Sequence, residues 1–128
     1  MYKWRAMLTE GRGSLERVGG CAVQTADGGE SALAVLAEHS FDVVLLDVMM
    51  PGMDGLSTLA RIRERPGLAS LPVIFVTAKI TPPEVARYRA AGAVGVVEKP
   101  IDPMRLSAQV QALVAAAASA SAGVKPHA

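Results

Sequence analysis

One cysteine, Cys21, occurs in the 128 residues, so no disulfide can close within the chain. With no second thiol and no histidine cluster beside it, Cys21 reads as a small apolar residue of a reducing compartment, which points to the cytoplasm. Charge of one sign is also lacking: formal net charge is +1 and the basic residues are dispersed. No electrostatic footprint for nucleic acid results, and no direct nucleic-acid contact is expected. No apolar run approaches the roughly 20 residues of a membrane span, and no signal-peptide core follows Lys3 and Arg5. What remains is a chain of one domain's length, half of it apolar, able to bury a core of its own.

Beyond residue 20, short β-rich runs alternate with longer helical ones. "CAVQTA" reads as a strand, and "GGESALAVLAEHS" follows with Ala32, Leu33, Leu36 and Ala37 at helical spacing. Asp42 to Leu46 is continuous, branched and apolar, as a strand buried on both faces requires. Asp54-Gly55 opens a second helix, with Asp54 as its N-cap, Leu59 and Ile62 on one face and Pro66-Gly67 at its end. "LPVIFVTA" is another doubly buried strand, finishing on Thr77. "PPEVARYRAAGA" is a shorter helix that turns Val85 and Tyr88 to the core, and "AVGVVE" is the last strand. "PMRLSAQVQALVAAA" closes the series with Leu106, Val110, Leu113 and Val114 in a stripe. The alternation predicts an α/β fold: a parallel sheet with helices on both faces.

The two ends break the pattern. Residues 1–20 hold only one short candidate strand, Trp4 to Leu8, with Arg5 awkward inside it, and a brief glycine-interrupted helix candidate, "GRGSLERV". At the other end, residues 1–118 are expected to form the domain and 119–128 an Ala/Ser-rich flexible tail, with no output domain.

Three polar residues each terminate a different apolar run: Asp47, Thr77 and Lys99. In an open parallel sheet, ligands bind outside the carboxyl ends of the strands, so all three converge on one rim. Their chemistry is complementary. A carboxylate can attack phosphorus and form an aspartyl-phosphate, a lysine supplies a compact positive charge, and a threonine hydroxyl donates one hydrogen bond. Lys99-Pro100 adds a candidate cis bond that would swing the lysine into place. The bland alternatives are a loop-capping Asp47, an ordinary strand-end Thr77 and a solvated Lys99; the register of the three outweighs them. His39, at a helix end, and His127 read as solvated.

"ADGGESAL", "LLDVMMPGMDG", "PVIFVTA" and "AGAVGVVEKP", in that order and spacing, resemble the receiver domain of two-component response regulators over roughly Leu15 to Val114. The resemblance implies a doubly wound, flavodoxin-like sheet of five parallel strands in the order 2-1-3-4-5. It further implies that Asp47 accepts a phosphoryl group from a histidine kinase or phosphotransfer protein. Thr77 would be the switch hydroxyl, Lys99 the conserved-type lysine, and a downstream protein the target. Mg²⁺ is the implied cofactor, with Asp47 and the backbone carbonyl of Met49 among its ligands.

Two departures stand against this likeness. Receivers end their first strand with an acidic pair, and here the only candidate is Thr9-Glu10, which makes Glu10 the one available second acid. Either the first helix is about two turns short, or a regular first strand is missing and a second copy of the chain or a rearranged segment fills the gap. The position three residues before Lys99, aromatic in relatives, is Val96. Three functional classes follow: a phosphorylatable switch, a degenerate receiver that acts as an interaction or dimerisation module, and a haloacid-dehalogenase-type phosphohydrolase. The last requires a second aspartate where Met49 stands, and a nucleophile on the first strand, so no enzymatic activity is expected.

Overall fold

Five strands pair in parallel: β1 (Trp4–Leu8), β3 (Cys21–Thr25), β4 (Val43–Asp47), β5 (Val73–Thr77) and β6 (Gly95–Glu98). They lie in the spatial order β3-β1-β4-β5-β6, the 2-1-3-4-5 arrangement, in a computed structural model that describes residues 4–9, 15–18, 21–50 and 52–124. The connections carry α1 (Gly29–Glu38), α2 (Gly55–Glu64) and α3 (Pro82–Ala90), and α4 (Pro103–Val124) follows the last strand. β4 is buried at all five positions because helices cover it above and below.

A further strand, β2 (Leu15–Val18), pairs antiparallel with β3 at the sheet edge, Leu15 opposite Gln24 and Val18 opposite Cys21. This corrects the helix expected for "GRGSLERV". Over the four described residues, Leu15–Val18, pairing with β3 decides for a strand, since a run this short carries no decisive period of its own. The missing-strand alternative is overturned as well: β1 is central and regular, paired with β3 over five positions and with β4 over three. Arg5 is tolerated because it lies at the entry end of the strand. Its guanidinium rests over the Phe41 ring, 5.2 Å from the centroid, and its backbone N–H donates to Asp42 Oδ2 at 2.6 Å.

The two faces of the sheet hold separate cores. One gathers α1, α2 and α3, with Leu33, Leu36, Leu59, Ile62 and Tyr88 packed on Met7, Val44, Leu46, Val73 and Phe75. The other sets Leu106 and Val110 of α4 on Ala6, Val23, Val43, Leu45, Ile74, Val76 and Val97. Burying each of the larger aliphatic or aromatic side chains contributes about 1.5–3 kcal/mol. Phe75 and Tyr88 meet with ring centroids 4.9 Å apart at 51°, a tilted contact that ties α3 to β5. α4 continues to Val124, past Ser119 where the sequence pattern ends the helix, because its Ala-rich run has high helix propensity. No helix among the described residues is long and apolar enough to cross a membrane.

At the end of the sheet where β4 and β5 begin, Arg63 of α2 reaches across. One guanidinium nitrogen donates to the carbonyls of Leu68 (3.0 Å) and Leu71 (2.7 Å), the other to that of Gly92 at 2.9 Å. A single side chain thus fixes the loop after α2 and the C-terminal end of α3 together. Arg65 makes a similar tie to Leu33 O of α1, at 3.0 Å.

α1 and α2 approach closely through Gly29, where a Cβ would stand 2.3 Å from Thr58 Oγ and 3.1 Å from Met53 Cβ. Thr58 Oγ cannot retreat, since it donates to Asp54 O at 2.7 Å and is fully buried. Gly29→Ala should therefore destabilise the protein by about 1–3 kcal/mol, the usual range for overpacking. Adding Thr58→Ala should return part of that loss, a coupling that urea denaturation of the double-mutant cycle measures.

Candidate functional site

Three neighbouring strands lead to the polar residues picked out above. Asp47 closes β4, Thr77 closes β5, and Lys99 follows directly on β6. The ladder knits the three ends together: Val48 N donates to Val76 O at 3.0 Å, and Lys99 N donates to Thr77 O at 2.7 Å. Register places Asp47 beside Val76 and Thr77 beside Glu98.

Asp47 is 8% exposed and both its carboxylate oxygens are engaged. Oδ2 takes the ammonium of Lys99 at 2.5 Å, and Oδ1 accepts the backbone N–H of Met49 at 2.9 Å. A buried carboxylate without a partner would be costly; here a charge-assisted bond and an amide dipole offset its desolvation. The Lys99 side chain remains about one-third exposed, so the pair opens to solvent on the lysine side. The Lys99–Pro100 peptide is cis, as the sequence suggested.

Thr77 sits on the same rim, but its hydroxyl faces the loop after β5. Oγ lies 3.4 Å from Lys79 O and 3.5 Å from Lys79 N. Both distances are at the long limit of hydrogen bonding, so the hydroxyl is loosely held and free to turn. Val96 is half-buried on the α1–α3 side of the sheet, with no ring at that position. Met49 is 81% exposed beside the site, while Met53 packs on the core. α2 comes close enough that a Cβ on Gly55 would stand 2.7 Å from the carbonyl of Asp47.

The metal side is sparser. Glu10 lies outside the described residues. Thr9, at the exit of β1, is 3% exposed, and its hydroxyl accepts the Asp47 backbone N–H at 2.8 Å. Among the described residues no cluster of three or more acidic, histidine or cysteine side chains gathers. Asp47 has one oxygen on an ammonium and the other on an amide, and Glu98, which closes β6 on the same rim, accepts the Ile80 N–H at 3.4 Å. Mg²⁺ prefers six oxygen ligands and takes one or two carboxylates besides waters. Among the described residues the Asp47 carboxylate and the Met49 carbonyl are the oxygens that could contribute to such a set, with waters supplying others. Asp54 is the N-cap of α2: its carboxylate accepts from Ser57 N at 2.8 Å. His39 is exposed, and His127 lies outside the described residues. The residue that sequence reasoning missed is Thr9, weighed only as half of a metal-binding pair; its burial and its bond to Asp47 depend on the sheet and leave no mark in the sequence.

With fold and site in place, comparisons with known proteins agree. A family description, "Response regulator receiver domain", matches residues 5–111, and the chain belongs to that family. It is 34% identical over 108 residues to the probable transcriptional regulator ycf27 of Cyanidium caldarium, covering 84% of this chain and 42% of the relative. It is 44% identical over 92 residues to the sensor histidine kinase AruS of Pseudomonas aeruginosa, covering 70% of this chain and 9% of that one. The chain thus spans less than half the length of these curated relatives. The chemotaxis response regulator CheY4 of Vibrio cholerae superposes with TM-score 0.73 at 25% identity, covering 85% of this chain and 97% of that one. Receiver domains are generally non-enzymatic signalling modules; they interact with histidine kinases or phosphotransfer proteins and generally bind Mg²⁺ at an acidic pocket.

The Asp54 cap has a pH signature. The Ser57 backbone N–H, then the Ser57 hydroxyl, hold its carboxyl below the ordinary value of 3.8. A depressed folded-state pKa contributes stability above the unfolded value, lost as pH falls through the folded one. Asp54→Ala should therefore lower Tm at pH 7, and the gap from wild type should close as pH drops below 3.8. Calorimetric scans across that range check it.

Proposed function

We propose that this chain is a phosphorylatable receiver in a two-component relay, with Asp47 as phosphoacceptor and a downstream protein as its target. The observation that carries the reading is the buried carboxylate of Asp47 paired at 2.5 Å with Lys99 on the rim where three strands end. In the step envisaged, one carboxylate oxygen of Asp47 attacks the phosphorus of a phosphohistidine. The O–P bond forms, the N–P bond breaks, and its electron pair returns to the imidazole. Lys99 orients the carboxylate beforehand and then neutralises charge on a phosphoryl oxygen. The Thr77 hydroxyl, held only by contacts of 3.4 and 3.5 Å, turns from Lys79 to donate to another. That turn would draw the loop after β5 with it and alter the face formed by α3, β6 and α4, biasing two pre-existing conformations. Contact with a protein partner on that face, rather than with nucleic acid, fits the balanced charge. The Asp47 carboxylate and the Met49 carbonyl would hold Mg²⁺, with Glu10 as the second acid that the sequence offers, and the ion would supply charge neutralisation at the phosphoryl oxygens.

A second reading has its own observation. Thr9 occupies a place that an acid holds in relatives, and its hydroxyl is committed to Asp47 N–H. On this reading the chain is a degenerate receiver, an interaction or dimerisation module whose binding ignores phosphorylation.

Incubation with acetyl phosphate and Mg²⁺ followed by intact mass measurement separates the two. The expected result is a gain of one phosphoryl group, absent in Asp47→Asn and abolished by removing Mg²⁺ with a chelator. No adduct at any Mg²⁺ concentration would establish the degenerate module. Lys99→Met should slow adduct formation by about 10²-fold, the magnitude seen when one preorganised charge is removed from a developing anion, as a time course of the mass shift reads out.

A further inference from the structure

We infer that Thr9 is a positioning residue: its hydroxyl, not an acid, fixes the backbone from which the Asp47 side chain extends. The inference deepens the phosphoacceptor reading and rests on it for its kinetic half only. The parallel ladder between β1 and β4 reaches Leu8 opposite Leu45, and Thr9 N continues it with a 3.0 Å bond to Leu45 O. At the next rung the pattern changes. Asp47 N–H donates to Thr9 Oγ at 2.8 Å, so a side chain stands in for a main-chain acceptor at the last step of the sheet. Thr9 Oγ also points its own donor at Leu45 O, at 3.4 Å. With Thr9 3% and Asp47 8% exposed, little water can replace the bond if it is lost.

Three anchors therefore act on one residue from three directions. Thr9 holds the Asp47 backbone from the β1 side, Met49 N–H orients Oδ1 from the following loop, and Lys99 holds Oδ2 from β6. The latter two set the carboxylate's rotation, whereas the Thr9 hydroxyl extends the β1–β4 ladder to Asp47 itself and holds its backbone against β1. An in-line attack tolerates little error in that origin, since a misplacement of about 1 Å can cost about 10²-fold in rate.

The test uses Thr9→Val, which keeps the shape and removes the hydroxyl, and Thr9→Ser, which keeps the hydroxyl and removes the methyl. Two quantities are read at a temperature where all proteins are folded: hydrogen exchange of the Asp47 amide by NMR, and the phosphorylation rate over a range of acetyl phosphate concentrations. In Thr9→Val the Asp47 amide should exchange at least about tenfold faster while the Leu45 amide is unchanged. The maximal phosphorylation rate should fall about tenfold at constant KM for acetyl phosphate. Thr9→Ser should match wild type in both. Equal protection of the Asp47 amide in all three proteins overturns the inference. So does a loss that Thr9→Ser shares, since that assigns the effect to packing of the methyl group. If wild type takes no phosphoryl group, the acceptor reading of Asp47 falls, and the amide exchange still decides whether Thr9 holds its backbone. Should Thr9→Val not fold, wild type alone remains decisive: an Asp47 amide exchanging as fast as an exposed one refutes the bond.

Discussion

The ion pair between Asp47 and Lys99 is the constraint around which the upper rim of this protein is organised. A carboxylate at the end of a strand buried along its whole length has little access to water, and without a counterion its charge would oppose folding. Lys99 supplies that counterion from two strands away, so β4, β5 and β6 must end level with one another for the bond to form. Satisfying a buried acid and aligning three strand ends are thus a single requirement. The same bond leaves the lysine side chain about one-third exposed, so its ammonium orders the site while still meeting solvent.

The apolar layers beneath serve that alignment. Two cores of different breadth grip the sheet: three short helices on one face, and one long helix on the other. β4 and β5 contribute to both, alternating Val44 and Leu46 toward one face with Val43 and Leu45 toward the other. A strand gripped from both sides cannot slip by a residue without reversing every side chain. Asp47 therefore points where it does because the four apolar residues before it leave it no alternative register.

Much of this was legible in the chain before any coordinates. The doubly buried strands at 43–47 and 73–77, the helices between them, the N-cap role of Asp54 and the meeting of Asp47 with Lys99 all follow from local patterns, since short apolar runs and capping residues carry their own geometry. The region before residue 20 was not legible in the same way. "LERV" carries too few residues to separate helix from strand by periodicity, and only its pairing with Cys21–Thr25 decides the matter. Arg5 looked misplaced in a central strand because its resolution, the Phe41 ring and Asp42, lies 36 and 37 residues away. Thr9 escaped for a related reason. A lone threonine has no sequence signature of accepting a backbone amide from a distant strand. The orientation of the Thr77 hydroxyl toward Lys79 is likewise a matter of rotamer, on which strand patterning is silent.

The Arg63 clamp gives the molecule a fixed end. Because that guanidinium ties the carbonyl of Gly92 to those of Leu68 and Leu71, the far end of α3 shares its footing with the loop after α2. The near end of α3 hangs from the loop that leaves Thr77, where the contacts are long and few. A rod pinned at one end and slackly tethered at the other swings like a lever rather than sliding. A small pull at Thr77 would then appear as a tilt of the whole helix, greatest at Pro82 and vanishing toward Gly92.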